Sequence, residues 1–390
     1  MNKKIILINT TMFLICFMTA CSIFPDGTVN SAEETIAVTV DGSGQLKGNL
    51  NDAIEVDADN SKTVHTGDVY DVKIKPVKKN KEKSDINAEK FADYLNLSIK
   101  DFSYNGNGDN FIYTLSDGTK YSDGRNIQYY SQDDVIRNYR IYISDNVKND
   151  FPLYELEDFS LEEAKSKAQE VFNLFPGISI SSEPIHAYAI DAEHAQDYQK
   201  KHKYPNIRYY IENDKEMHPR TEEYYESNGQ KILWNKSDEV YYMEYALMLK
   251  DMQITYKQVE NSSYSSVEYI VRIVMGRDGL KKLEINGLYD IQSEDKISGE
   301  MCSIEEALQS FADSYQYTSQ LNKKVITDVY LAYVPLAPVG EKDPIFAAHP
   351  YWVLQTETEV TSNKNGETVT SKREQIYLVD TINKSIFIGR

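Results

Sequence analysis

Cysteine is almost absent from this sequence, tryptophan nearly so, and positive charge is outnumbered. Three Cys stand among 390 residues. Cys16 and Cys21 belong to the N-terminal apolar run and its end. Cys302 is then left alone, so no intramolecular disulfide can staple the body and stability has to come from core packing. Cys302 sits just before a helix start and reads as a small buried residue rather than a nucleophile. There are 42 basic against 61 acidic residues, a formal charge of −19. Such a surface disfavours nucleic acid and other polyanions, which need net basic patches. Beyond residue 20 no apolar stretch is long enough to span a bilayer.

Catalytic signatures are missing as well. There is no H-E-x-x-H pair, no G-x-S-x-G elbow and no phosphate-binding loop. The S-x-x-K at Ser293–Lys296 stands without its companions and reads as an exposed turn. His186 and His194 flank an acidic stretch and, with His202, would need several elements to converge on a metal, so we read them as solvated or hydrogen-bonded. The Asn105–Asp109 loop lacks the spaced ligands of a calcium loop and reads as a polar turn. The expectation is a protein with no catalytic residues, no cofactor and no metal site.

What is present begins with an address. Lys3-Lys4 precede the apolar run Ile5–Ala20, which ends in Met18-Thr19-Ala20-Cys21. The run is short for a span and suits a signal segment, and the small residues before Cys21 resemble a bacterial lipoprotein signal. We expect a signal peptide over 1–20, lipidation of Cys21, and a body held by acyl chains on the extracytoplasmic face of the cell membrane.

The rest has a globular composition, 41% hydrophobic and 26% charged, and enough length for two modules. Residues 21–84 read as a tether and N-terminal segment with one strand near Thr35–Val40. Residues 73–83 hold six Lys and form the one basic cluster. Such a run suits contact with anionic lipid or wall polymer, and equally a solvated strand end plus loop, which is how it reads here.

A pattern then recurs. Alternating residues Phe111–Leu115 and a turn at Ser116-Asp117-Gly118 lead through further strands to Ser160-Leu161-Glu162-Glu163-Ala164. Ser160 with Glu163 predicts a helical capping box, and Leu161, Ala164, Ala168, Val171, Phe172 and Phe175 form one apolar stripe. In the second half, Val267–Met275 alternates, turns at Gly276–Gly279 and returns through Leu283 and Ile285. Ser303-Ile304-Glu305-Glu306-Ala307 opens a second helix, followed by strands at 325–334, 351–360, 368–379 and 385–388. The expected fold is α+β: two repeated modules, over 85–260 and 261–390, each an antiparallel sheet with an amphipathic helix packed on one face. The pairs Tyr129-Tyr130, Tyr209-Tyr210, Tyr224-Tyr225 and Tyr241-Tyr242 are each expected to place one ring inward and one outward.

The signal, the repeated S-x-E-E-A helix, the stretch Ala347-Ala348-His349-Pro350-Tyr351-Trp352 and the late strand Ile376–Asp380 resemble uncharacterised surface lipoproteins of low-GC Gram-positive bacteria. More distantly, the C-terminal half is similar to YycH/YycI-type and PepSY-like extracytoplasmic regulators, with Pro350-Tyr351-Trp352 and Asp380 through Ile386 matching their late strands. The resemblance implies a non-enzymatic role in protein interaction or regulation, with an envelope protein as partner. YycH/YycI-type proteins hold a transmembrane helix that touches a sensor kinase; here lipid stands in that place. The favoured function is protein or peptide binding at the cell envelope. The alternative is a small-ligand or glycan-binding lipoprotein with a Tyr/Trp-lined groove between modules. His349, Tyr351 and Trp352 are the candidate binding surface.

Overall fold

The computed structural model describes residues 37–40, 45–59, 67–105, 110–131, 151, 155–195, 234–315, 323–341, 343–364 and 367–389. The signal segment, Cys21, His65, His202, His218 and the tyrosine pairs at 209–210 and 224–225 lie outside them. Residues Ala37–Arg390 belong to one folding unit.

Two antiparallel-dominated sheets make up most of that unit. The first holds ten strands. It begins with β1 (Ala37–Val40), β2 (Gln45–Asn51), β3 (Ile54–Asp59) and β4 (Tyr70–Pro76). The second holds eight strands. It takes β5 (Ile99–Asn105), β6 (Asn110–Leu115), β7 (Lys120–Asp123), β8 (Ile127–Tyr130), β9 (His186–Ile190) and β10 (Val240–Ala246). The short strands β11 (Met248–Leu249) and β12 (Met252–Gln253) pair with each other, and β13 (Tyr264–Ser265) follows. The hairpin β14 (Ile270–Gly276) and β15 (Gly279–Asn286) completes the second sheet in the order β5-β6-β7-β8-β15-β14-β10-β9. The chain then returns to the first sheet with β16 (Tyr289–Lys296), β17 (Lys324–Pro338), β18 (Phe346–Lys364), β19 (Glu367–Asp380) and β20 (Ile386–Gly389). The backbone path of that sheet is β1-β2-β3-β17-β18-β19-β20, with β4 bridging β16 and β18 and β13 added to β17. Its one parallel pair among the described strands is β3 with β17.

The fold class expected from sequence is therefore corrected. The protein is mainly β; besides a short helical stretch at 192–195, the described residues form three α-helices of 12 to 14 residues: α1 (Lys81–Tyr94), α2 (Leu161–Phe172) and α3 (Ile304–Tyr315). The two sheets are not successive modules each carrying its own helix. The hairpin expected to open a second module lies between β8 and β10 of the eight-stranded sheet, and α2 packs against β14 of that hairpin. The supposed tether supplies β1, β2 and β3, whose Leu46, Ile54, Val56 and Ala58 are buried. The physical reason is that alternation reports that a strand exists and which of its faces is apolar, while its neighbour is set by non-local register. A capping box likewise fixes where a helix begins, not the sheet beneath it.

Local chemistry behaves as read. The Ser160 hydroxyl accepts from Glu163 N, and the Glu163 carboxylate accepts from Ser160 N at 2.8 Å. Ser303 and Glu306 repeat this exchange at 2.9 and 3.2 Å. Ala164, Ala168, Val171 and Phe172 are buried on α2; Ala307, Leu308, Phe311 and Ala312 are buried on α3. The tyrosine expectation needs amendment. Tyr129 is buried and Tyr130 half-buried, but Tyr241 and Tyr242 are both fully buried. Every residue of β10 is buried, so both faces of this strand are covered. Tyr241 lies beside Phe159 at 5.7 Å, while Tyr242 packs with Val240, Val274 and Trp234.

Candidate ligand cleft

The site is built on α1, which periodicity in the sequence does not reveal because its apolar face is thin. Ala88, Phe91 and Ala92 are its buried apolar residues. The Phe91 ring stacks on Tyr121 at 4.6 Å and meets the edge of Tyr129 at 5.1 Å. Tyr113 donates its hydroxyl to Asp85 at 2.8 Å, and Asn80 caps the helix by accepting from Lys83 N at 2.9 Å. These contacts fix the rotation of α1 on β5, β6 and β7. Its opposite face then presents Lys83, Ile86, Asn87 and Lys90. Those positions share one side of a helix by the i, i+3, i+4, i+7 rule.

That face forms one wall of a cleft of about 640 Å³. The β4–α1 connection contributes Val77, Lys78 and Lys79. The stop after α2 contributes Phe175, Pro176, Gly177, Ile178 and Ser179. Leu247 and the start of β16, from Leu288 to Ile291, close the remaining side. Val77 N donates to Leu288 O at 3.0 Å and ties two of these walls together. The volume is within the range of small-molecule sites.

Its electrostatics run against those of the whole chain. Four Lys and one acid, Asp290, line the cleft, whereas the chain carries −19. Lys79 is paired with Asp123, whose carboxylate is fully buried and also accepts from Asn87 Nδ2 at 2.8 Å. Burial pushes the Asp123 carboxyl above its ordinary value, and Lys79 and then Asn87 pull it part of the way back. Lys78 lies 3.6 Å from Asp343 and is largely exposed. Among the described residues the ammonium groups of Lys83 and Lys90 have no carboxylate partner. Ile86 and Ile291, each 46% exposed, place apolar surface between and opposite these charges.

The residues singled out from sequence fall elsewhere. Strand alternation on β18 sends His349 and Tyr351 to one face and Trp352 to the other. The His349 ring sits 5.2 Å from that of Tyr351. His349 Nδ1 is 2.5 Å from Asp71, and its Nε2 is 3.3 Å from Asp380. Trp352 is buried and donates Nε1 to the Cys302 carbonyl at 3.0 Å, so its ring packs inside the protein rather than lining a groove. Cys302 is buried, and burial raises its thiol pKa. His186 lies on β9, and His194 holds Asp191 at 2.6 Å. No group of three or more His, Cys, Asp or Glu able to hold a metal ion occurs among the described residues. Ser293 and Lys296 lie on the exposed strand β16, where Lys296 pairs with Asp68 at 2.8 Å. The Lys-rich run was visible in sequence; the spacing of Lys83, Ile86 and Lys90 was the signal that could have placed part of it on a helix face.

Neither protein-family models nor curated proteins give a match to this chain. Among solved structures it is similar to the crystal structure of an uncharacterized protein from Eubacterium rectale ATCC 33656, with a TM-score of 0.62 and 15% identity over 88% of this chain and 93% of that one. The likeness is one of fold.

Proposed function

We propose that this chain is a non-catalytic binding protein of the bacterial cell envelope, moored on the extracytoplasmic face by acyl chains on Cys21, that engages its partner in the lysine-lined cleft. The cleft carries this reading. It combines an apolar lining with cations that have no carboxylate partner among the described residues, on a helix fixed by core contacts, which is how a binding site gains both area and orientation. The mooring is supported by Lys3-Lys4, the apolar run and Met18-Thr19-Ala20-Cys21. No helix of the described residues is long and apolar enough to cross a membrane. The resemblance to surface lipoproteins and extracytoplasmic regulators favours a role by contact.

The test is photo-crosslinking in cells with benzoylphenylalanine placed at Ile86, inside the cleft, or at Ile388, exposed on β20. The expected result is a discrete adduct from position 86 that is absent from position 388. No adduct at 86, or the same adducts at both positions, would overturn the cleft reading. For the mooring, Cys21→Ser should move the protein out of the membrane fraction; full retention would refute it.

A further inference from the structure

The chemistry of the cleft goes further than the existence of a site, and the following rests on the cleft reading above. We infer that the ligand is a small amphipathic anion: a single carboxylate or phosphate head joined to an apolar body.

The head is specified by charge. In an acidic chain, four Lys against one acid, Asp290, line this one cleft, so its lining is locally cationic. Lys79 is already neutralised by Asp123 and Lys78 leans towards Asp343. Lys83 and Lys90, without a carboxylate partner among the described residues, outnumber the remaining lining acid, Asp290, and leave net positive charge for a ligand. Seven residues along one helix separate them by roughly 10 Å, at about 1.5 Å per residue. Two mobile ammonium groups at that spacing bracket one compact anion. They do not form the continuous cationic track that a polyanion needs.

The body is specified by the lining. Ile86 lies between the two lysines on the helix, and Phe175 and Ile291 come from two other walls. Exposed isoleucines facing a cleft are unfavourable in water and favour burial beneath an apolar ligand. A bare inorganic anion would leave this surface wet, and a cationic or zwitterionic amphiphile would meet Lys83 and Lys90. The site is a cleft of about 640 Å³, large enough for a single small ligand. The head could belong to a free fatty acid or to a lipid phosphate; the shared feature is one anionic group on a chain.

The experiment is isothermal titration of the purified protein with dodecyl phosphate and dodecanoate, both kept monomeric. Inorganic phosphate, dodecyltrimethylammonium and phosphatidylglycerol vesicles form the other arms. Saturable one-to-one binding of either dodecyl anion is expected, and the tighter of the two assigns the head as phosphate or carboxylate. Inorganic phosphate and the cationic amphiphile should give no saturable heat. The double variant Lys83→Glu/Lys90→Glu should lose affinity at least about tenfold, as expected on removing charge-assisted hydrogen bonds. Lys83→Gln/Lys90→Gln should fall between it and the parent. Both lysines are exposed on α1, and unchanged thermal melts would show that the fold is retained. Unchanged affinity in the charge-reversed variant, equal binding of the cationic amphiphile, or binding to vesicles alone would overturn the inference. A crosslinked adduct at position 86 without binding of either anion would refute the ligand class and leave the cleft reading standing. Absence of both would remove the two together.

Discussion

The indole Nε1 of Trp352 donates to the carbonyl oxygen of Cys302 at 3.0 Å, joining the middle of β18 to the residue before the α3 cap. Cys302 N in turn donates to Thr381 O at 2.7 Å, and the Thr381 hydroxyl donates to Pro350 O at 3.0 Å. These bonds anchor the start of α3 to β18 and to the turn after β19. Trp352→Phe keeps most of the ring volume and leaves the Cys302 carbonyl without its indole donor. It should cost about 1–3 kcal/mol. Trp352→Ala adds a cavity and should cost about 3–5 kcal/mol. Urea unfolding midpoints decide this; a Trp352→Phe variant as stable as the parent would show that the hydrogen bond contributes nothing. Loss of ligand binding in Trp352→Ala would report lost packing rather than a lost contact surface.

Lys79→Met strands the buried Asp123 carboxylate. Breaking one side of such a pair should cost about 3–5 kcal/mol near neutral pH. The sign of its pH dependence follows from burial, the largest influence on this group, which raises the folded pKa above the ordinary 3.8. A raised carboxyl contributes stability that is full below 3.8 and is lost as pH rises through the folded value. Without Lys79 that value climbs further. The deficit of the variant relative to the parent should therefore shrink as pH falls, as read from denaturant melts in acid and at neutrality. A deficit that grows on acidification would contradict this account of Asp123.

The two capping boxes titrate in the opposite sense. The Ser160 backbone N–H holds the Glu163 carboxyl below its ordinary value of 4.5. Glu306 is lowered first by Lys384 and then by the Ser303 backbone. Their stabilisation is present above 4.5 and is lost as pH falls through the lowered folded values. Glu163→Gln/Glu306→Gln keeps acceptors at both caps and removes the charge. Its unfolding midpoint should vary less with pH than the parent's once pH drops below 4.5. Parallel curves for variant and parent across that range would show that neither carboxylate contributes.

Gly287 is where the chain leaves the eight-stranded sheet for the ten-stranded one. Its φ is +78°, and a Cβ there would lie 2.6 Å from Glu268 O and 2.7 Å from Tyr269 Cδ1. Gly287→Ala therefore meets both backbone strain and a backbone clash, and should cost about 2 kcal/mol or more. Gly177, with open space around the corresponding atom, should accept Ala with much less effect. Thermal unfolding of the two variants side by side checks the contrast.

Local features of this protein were legible one by one. Ser160 with Glu163 and Ser303 with Glu306 gave both helix starts, and the alternation through Val271, Ile273 and Met275 gave β14 and its turn. Helix α1 leaves little trace in the sequence because its contact with the sheet rests on little more than Phe91 between two alanines. Alternation puts one ring of the Tyr241-Tyr242 pair outward, because a single strand cannot report that Trp234 and Val274 cover its second face. The lysine run stands out in the sequence, but nothing in its spacing says that Phe175 and Ile291 line the same cleft.

The sequence by itself determined the acidic charge, the lack of a disulfide framework, the caps and the apolar faces of most strands, because each depends on residue type and near-neighbour spacing. Only the tertiary structure decided which strands share a sheet, that β3 runs beside β17, and that Lys83 and Lys90 stand over apolar surface. Those outcomes depend on register between segments hundreds of residues apart, where burial of two matching faces rather than any local preference selects the partner.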